Sequence, residues 1–327
     1  LDGLITNTVP RAGRMALAPM VNHRGKLIGD LTVACLGPAD GLPEGPPTTL
    51  RGGTTGNVDR EERFVVFGSG VAERYYERWF DAHLPTDGSV RCATLGWELC
   101  GLSIAGPDSR ELLSRVTDTD VGSEAFRFMD FRRMDLGWAP VWCGRMSYTG
   151  DLGYEFWMPA SLQRYVFELL WSSAEGVGLQ LFGLHALNSL RLDKGFGSWA
   201  REYRPLYTPF EAGLGRFVKL DKRFVGRDAL AEAHAQGPTR RLLTWTVEAV
   251  DHDVIGDEPI WHDGEVVGWV TSGGFSHQVD QSVALGYVPS ALEHSSGEFE
   301  IEIVGERRPA ALVDGCLWDP SGKRMRG

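Results

Sequence analysis

The chain has 327 residues, 43% of them hydrophobic and 24% charged, which is enough for two or three packed units and too apolar for a disordered chain. Its 33 basic and 44 acidic residues leave a net charge of −11, arguing against a nucleic-acid partner while leaving room for an anionic small ligand on a local basic patch. The five cysteines are scattered without a CxxC, so free thiols in a reducing cytoplasm are expected rather than a zinc site, and no apolar run reaches the roughly 20 residues of a membrane span.

In chain order, Leu1, Leu4 and Ile5 make an apolar, helix-like opening with neither Met nor a secretory signal. They read as the middle of an element whose first part lies outside this sequence. Residues 14–21 and 26–35 read as strands about a turn at Asn22-His-Arg-Gly25. The Gly and Pro residues of 37–62, among them Gly37-Pro38, Gly45-Pro-Pro47 and Gly52-Gly53, predict an exposed loop. A strand over 63–67 follows, then a helix over 71–83 whose Tyr75, Tyr76, Trp79 and Phe80 form an aromatic face. A strand over 99–105 ends at Gly106-Pro107, and 109–116 reads as a helix. Residues 139–158 read as a hairpin bent at Tyr148-Thr-Gly-Asp-Leu-Gly153, followed by helices over 162–175 and 184–192. Residues 233–241, with Gly237-Pro238, form the linker candidate. The short, evenly spaced strands beyond it predict a small antiparallel barrel.

No GxGxxG follows a strand, and GxxxxGK[ST], GxSxG and HExxH are absent, so the chain carries no recognisable nucleotide, flavin, serine-hydrolase or zinc-enzyme motif. Its eight histidines are isolated. Three segments stand out. In Gly25-Lys-Leu-Ile-Gly-Asp30-Leu-Thr-Val, an Asp interrupts an apolar strand. It either faces solvent from an edge strand or is buried at a cost that something must offset. In Ser147-Tyr-Thr-Gly-Asp-Leu-Gly-Tyr-Glu155-Phe-Trp, two glycines bracket a bend where backbone can approach a ligand, and a carboxylate sits among aromatic residues. That combination suits a flat heterocycle with an amidine-like N–H pair, such as a pterin; an ordinary hairpin is the alternative. The third segment, Gly268-Trp-Val-Thr-Ser-Gly-Gly-Phe-Ser-His277 with Val283-Ala-Leu-Gly-Tyr-Val-Pro289, reads as a structural, Gly-rich strand connection.

The order and wording of Leu27-Ile-Gly-Asp30, Tyr148-Thr-Gly-Asp-Leu-Gly-Tyr-Glu155, Leu190-Arg-Leu-Asp-Lys-Gly195, Val270-Thr-Ser-Gly and Gly286-Tyr-Val resemble the glycine cleavage T-protein family of aminomethyltransferases. Asn188-Ser-Leu-Arg-Leu-Asp-Lys-Gly-Phe-Gly, Trp199-Ala-Arg-Glu-Tyr-Arg-Pro205 and Phe210-Glu-Ala-Gly-Leu-Gly-Arg-Phe-Val218 are closest to the C-terminal folate module of dimethylglycine and sarcosine dehydrogenases. The resemblance spans nearly the whole chain. It implies an α+β, three-subdomain cloverleaf around a central folate channel. Residues 1–232 would form a folate-binding core of two interleaved subdomains, 233–241 a linker and 242–327 a C-terminal antiparallel β-barrel.

The resemblance further implies tetrahydrofolate as cofactor and transfer of a one-carbon unit from an N-methylated substrate of the dimethylglycine or sarcosine class. Asp30 would orient the folate and assist transfer, and Glu155 would anchor the pterin in a slot shaped by Tyr148 and Tyr154. Arg191 and Asp193 would form a structural helix-end pair, and some of Arg201, Arg204, Lys219 and Lys222 a positive rim for the anionic folate tail. FAD enters only if a separate or missing domain supplies it; neither nucleic acid nor a membrane is expected as a partner. The alternatives are a flavin-independent, tetrahydrofolate-dependent demethylase of an S-, N- or O-methyl donor, and a non-catalytic folate-binding assembly protein. The K-G-C-Y-x-G-Q-E signature of the latter is missing here. Two positions depart from the family pattern: Gly29 stands where an Asp usually precedes Asp30, and Leu187 where many T-proteins place an arginine.

Overall fold

The computed structural model describes residues 1–38 and 62–327, so the loop expected over 37–62 lies almost wholly outside the described residues. β1 (Met15–Val21) and β2 (Leu27–Pro38) form an antiparallel hairpin, and β3 (Glu62–Phe67) pairs with the far half of β2 in a sheet ordered β1-β2-β3. The hairpin turn is held by Asn22 Oδ1, which accepts the amides of Arg24 and Lys26. Alternation along a strand gives the sheet two different faces. One, with Ala18, Met20, Leu31 and Val33, packs on Tyr76 and Phe80 of α1 (Glu73–Asp81). The other carries Asp30, Thr32 and Ala34. Asp30 thus stands on the middle strand of the sheet and not on an edge strand.

The opening residues do not form a helix. Leu4 donates its amide to Leu1 O in a turn, and Ile5 is fully buried. Lys222 Nζ donates to the carbonyls of Asp2, Ile5 and Asn7, supplying the partners that helical amides would otherwise provide.

The second unit contains β4 (Leu99–Ala105), α2 (Ser109–Ser114), β5 (Phe131–Leu136), β6 (Ala139–Gly144), β7 (Gly153–Pro159) and α3 (Ala160–Ser172). Its four strands form a sheet ordered β4-β7-β6-β5. Val141 and Cys143 of β6 and Tyr154, Phe156 and Met158 of β7 bury against α2 and α3, through Leu112, Leu113, Val166 and Leu170. The chain then passes through α4 (Leu184–Asp193) and returns to the first unit. There Lys219 and Val225 donate their amides to Thr6 O and Gly3 O, while Tyr207, Phe224 and Leu230 pack with Val21 and Leu27.

α5 (Arg227–Gln236) occupies the first part of the segment expected as linker, and β8 (Arg240–Val247) begins three residues after it. With β9 (Pro259–His262), β10 (Glu265–Ser276), β11 (Gln281–Pro289), β12 (Phe299–Ile303) and β13 (Glu306–Val313), β8 closes a barrel ordered β10-β11-β8-β13-β12-β9. Closure removes free sheet edges, and Trp245, Val247, Ile260, Val270 and Ile301 fill the interior. Beyond β13 the chain crosses back to α4: Trp318 donates its amide to Asp193 O, and Lys194 pairs with Asp319 at 3.2 Å.

Candidate functional site

Asp30 lies on the β2 face turned away from α1. Burial raises its carboxyl to about 6, the nearby charge of Glu202 adds to the rise, and a hydrogen bond with its own backbone opposes it. The phenols of Tyr76, Tyr148 and Tyr203 are all raised, each mainly by burial and in part by the negative charge of Asp30. Asp30 is therefore a half-buried carboxylate whose charge is felt by three phenols and which has no ion pair among the described residues. Tyr148 comes from the hairpin between β6 and β7. Its hydroxyl donates to Gly197 O at 2.7 Å, and its ring, 36% exposed, stacks on Phe196 at 6.0 Å.

Glu155 sits on β7, facing away from the second unit's core. Its carboxyl is raised to about 7 by burial alone. Among the described residues no group donates a hydrogen bond to it. A carboxylate removed from water without a donor is costly, and such groups concentrate where a ligand supplies the partner.

Strand register relates the two acids. Thr32, two residues beyond Asp30 on the same face, pairs with Phe67, so the Phe67 ring projects on that face too. Trp157 shares a face of β7 with Glu155, and the Phe67 and Trp157 rings stack at 4.5 Å. Glu155 thus stands two residues, about 7 Å along β7, from Trp157 of that stack, and Asp30 stands as far along β2 from Thr32, the cross-strand partner of Phe67. Met15, Phe131 and Trp142 complete the seam, and Arg14 pairs with Asp130 at its end.

Other expectations are corrected. Tyr154 does not border a slot between the sheets: it is fully buried in the second unit's core against Phe126, because alternation sends it to the side opposite Glu155. The hairpin glycines admit protein rather than a ligand. A side chain at Gly150 (φ +80°) would strike Lys194, and one at Gly153 would strike Ser147. Arg191 is not paired with Asp193; its partner is Glu202, at 3.2 Å, with both side chains at most 4% exposed. Burial raises the Asp193 carboxyl, and the neighbouring Ser276 hydroxyl and His277 oppose the rise. Of the expected positive rim, Lys222 is committed to the N-terminal turn and Arg201 to Asp257. At Gly29 an added Cβ would lie 3.0 Å from the Tyr76 ring, so the usual neighbouring Asp has no room unless that ring moves.

Among the described residues no cluster of His, Cys, Asp and Glu could hold a metal ion, and no helix is long and apolar enough to cross a membrane. Two surface cavities, of about 450 and 220 Å³, are lined by Arg110 to Gly122 of the second unit and by Phe210, His234 and neighbours; neither includes the two acids.

Two family models match the chain: the GCVT N-terminal domain over residues 50–222 and the glycine cleavage T-protein C-terminal barrel domain over 240–319. The chain belongs to the glycine cleavage T-protein family. This T-protein relative is 31% identical over 331 residues to human mitochondrial dimethylglycine dehydrogenase, covering 100% of this chain and 36% of that one. Human mitochondrial sarcosine dehydrogenase gives 31% over 341 residues, again 100% and 36%. The chain thus spans about a third of the length of these dehydrogenases. An aminomethyltransferase of Synechocystis is 28% identical over 312 residues, 94% of this chain and 76% of that one. In fold, the T-protein architecture is shared with the glycine cleavage system aminomethyltransferase T of Bartonella henselae, at a TM-score of 0.73 and 22% identity over 93% of this chain and 76% of that one.

Motifs in the T-protein segments assign no role to Phe67, Trp157 or Glu202. Trp157 was accessible from alternation, since it and Glu155 share parity. Phe67 and Glu202 reach the seam only through pairings distant in sequence.

Proposed function

We propose that this chain carries the folate-dependent half of a one-carbon transfer. It would pass a one-carbon unit from an N-methylated, glycine-type substrate of the dimethylglycine or sarcosine class to tetrahydrofolate. The observation that carries this reading is Glu155, a half-buried carboxylate with no donor among the described residues, beside a seam lined with aromatic rings. A pterin fits that deficit, because its aminopyrimidine edge offers two parallel N–H donors to one carboxylate. Dehydrogenases of dimethylglycine and sarcosine aligning with the whole chain support the substrate class. With no dinucleotide motif in this sequence, the oxidation that generates the one-carbon unit is assigned to a flavin domain or subunit outside it.

Tetrahydrofolate supplies the amine nitrogens that take up the one-carbon unit. Glu155 anchors the pterin edge, and Tyr148 borders the slot with its exposed ring. Asp30, with its carboxyl near 6, is mostly ionised at neutral pH. It can stabilise the cationic carbon as it arrives and take the proton the amine releases on forming the new bond.

Glu155→Gln is expected to weaken tetrahydrofolate binding by about 10- to 100-fold in titration calorimetry, the value of a charge-assisted pair of hydrogen bonds. Proton release tests the same contact. Bound N–H donors favour the anion of a carboxyl that titrates near 7, so binding at pH 7 should release about half a proton, and the Gln variant should release none. Unchanged affinity in the variant would remove Glu155 from the site.

A further inference from the structure

The loop after α4 touches both sides of the proposed site. Gly197 O accepts the Tyr148 hydroxyl at 2.7 Å, and Gly197 N donates to the Tyr203 hydroxyl at 3.1 Å. Two residues on, Trp199 Nε1 donates to Ile28 O at 3.2 Å, two positions before Asp30 on β2. The Trp199 ring packs between Tyr75 and Tyr76 of α1. One short stretch of backbone therefore holds the Tyr148 hairpin at one point and the Asp30 strand at the next.

Glu202 holds that stretch in shape. Its Oε2 accepts the Ser198 amide at 2.7 Å, the Ser198 hydroxyl at 3.3 Å and Arg191 Nη1 at 3.2 Å. Its backbone carbonyl accepts the Tyr287 hydroxyl from barrel strand β11 at 2.8 Å. The residue is fully buried, and Oε1 has no partner among the described residues. A buried ion pair seldom adds net stability over apolar packing, and a second carboxylate near Asp30 worsens the electrostatics. Stability alone is thus a poor account of a charged group here. Its contacts instead fix where the loop's two outward hydrogen bonds point.

We propose that Glu202 is a positioning residue: through loop 196–203 it sets the placement of the Tyr148 hairpin relative to the Asp30 strand. The proposal rests on the folate reading above.

The test is a double-mutant cycle on tetrahydrofolate affinity, with wild type, Glu202→Gln, Tyr148→Phe and the double variant titrated in parallel. If both residues act through Gly197, Glu202→Gln weakens binding about tenfold, Tyr148→Phe about threefold, and the double variant no more than Glu202→Gln alone. Glu211→Gln is the structural control. Glu211 is also buried, accepts the Thr208 amide and hydroxyl, and pairs with Lys26, but bears on the barrel side. It should lose stability and keep its affinity. Effects that multiply, or an equal loss of affinity in Glu211→Gln, would overturn the proposal. If Glu202→Gln does not fold, Trp199→Phe, which removes the bond to Ile28 O and keeps an aromatic ring against Tyr75 and Tyr76, takes its place in the comparison with wild type. It should weaken binding about threefold, and unchanged affinity would likewise overturn the proposal. A folded wild type that does not bind tetrahydrofolate would remove the folate reading itself, and this inference with it.

Discussion

Asp30→Ala is expected to cut one-carbon transfer by about 10²-fold or more while changing tetrahydrofolate affinity by no more than about threefold, the signature of a group used in the reaction rather than in binding. The assay would follow label from methyl-labelled dimethylglycine or sarcosine, oxidised by a flavin dehydrogenase, into 5,10-methylenetetrahydrofolate. Affinity would be measured separately by calorimetry. Turnover at the wild-type rate would show that Asp30 is a bystander.

A stability measurement gives independent leverage on the same carboxyl. Its folded value, about 6, lies above the ordinary 3.8 because burial disfavours the anion. The sign follows from linkage. Below about pH 4 both folded and unfolded states hold the proton, and no penalty is felt. As pH rises, the unfolded state ionises first, so stability is lost progressively until the folded carboxyl has also ionised, above about pH 7. Asp30→Asn should therefore match wild type near pH 4 and exceed it near pH 8, by up to about 3 kcal/mol for a rise from 3.8 to about 6. Glu155, raised to about 7, slopes in the same direction, so the unliganded protein should weaken across this window in urea titrations. A variant less stable than wild type at pH 8 would mean that Asp30 is paired in a way the structure does not show. Stability given up at two carboxylates with few partners fits a surface kept ready for a ligand.

The second large effect concerns Arg191. Replacing it with Met leaves Glu202 buried beside Asp30 with no opposing charge. The expected loss is about 3–5 kcal/mol, read as a lowered urea midpoint with an unchanged slope. Arg191→Met combined with Glu202→Leu should recover a large part of that loss, because it removes the stranded charge with its partner. A single variant costing less than about 1 kcal/mol would contradict the depth of the pair, since exposed ion pairs are worth that or less. The double variant would recover stability without recovering tetrahydrofolate affinity if loop 196–203 has the positioning role proposed for it.

Much of the local structure was legible in the sequence, and for identifiable reasons. The helix over the aromatic residues 75–80 and the hairpin through Tyr148 carry their periodicity on their faces. The barrel strands follow from short alternating runs between turn residues. β5 was not legible, because Met134 and Leu136 alternate with Arg133 and Asp135 over only four residues, while Arg132 shares the face of Met134 and Leu136 and Phe131 turns to the opposite one. α5 was obscured by the Gly237-Pro238 stop that drew attention to a linker.

The site divides in the same way. The Asp30 and Glu155 segments are recognisable as short stretches of sequence, because a carboxylate within an apolar or aromatic run violates the local pattern. What tertiary structure alone decided was which faces meet. Parity put Glu155 and Tyr154 on opposite faces of β7, and docking decided that the Tyr154 face was the one buried in the core. The stack of Phe67 on Trp157 joined strands some 90 residues apart, and Arg191 found Glu202 rather than Asp193. Local periodicity is set by backbone geometry within a few residues and can be read from the chain. Partnerships across the seam depend on how separately formed sheets dock, a choice made by the summed packing of all three units and carried by no single segment.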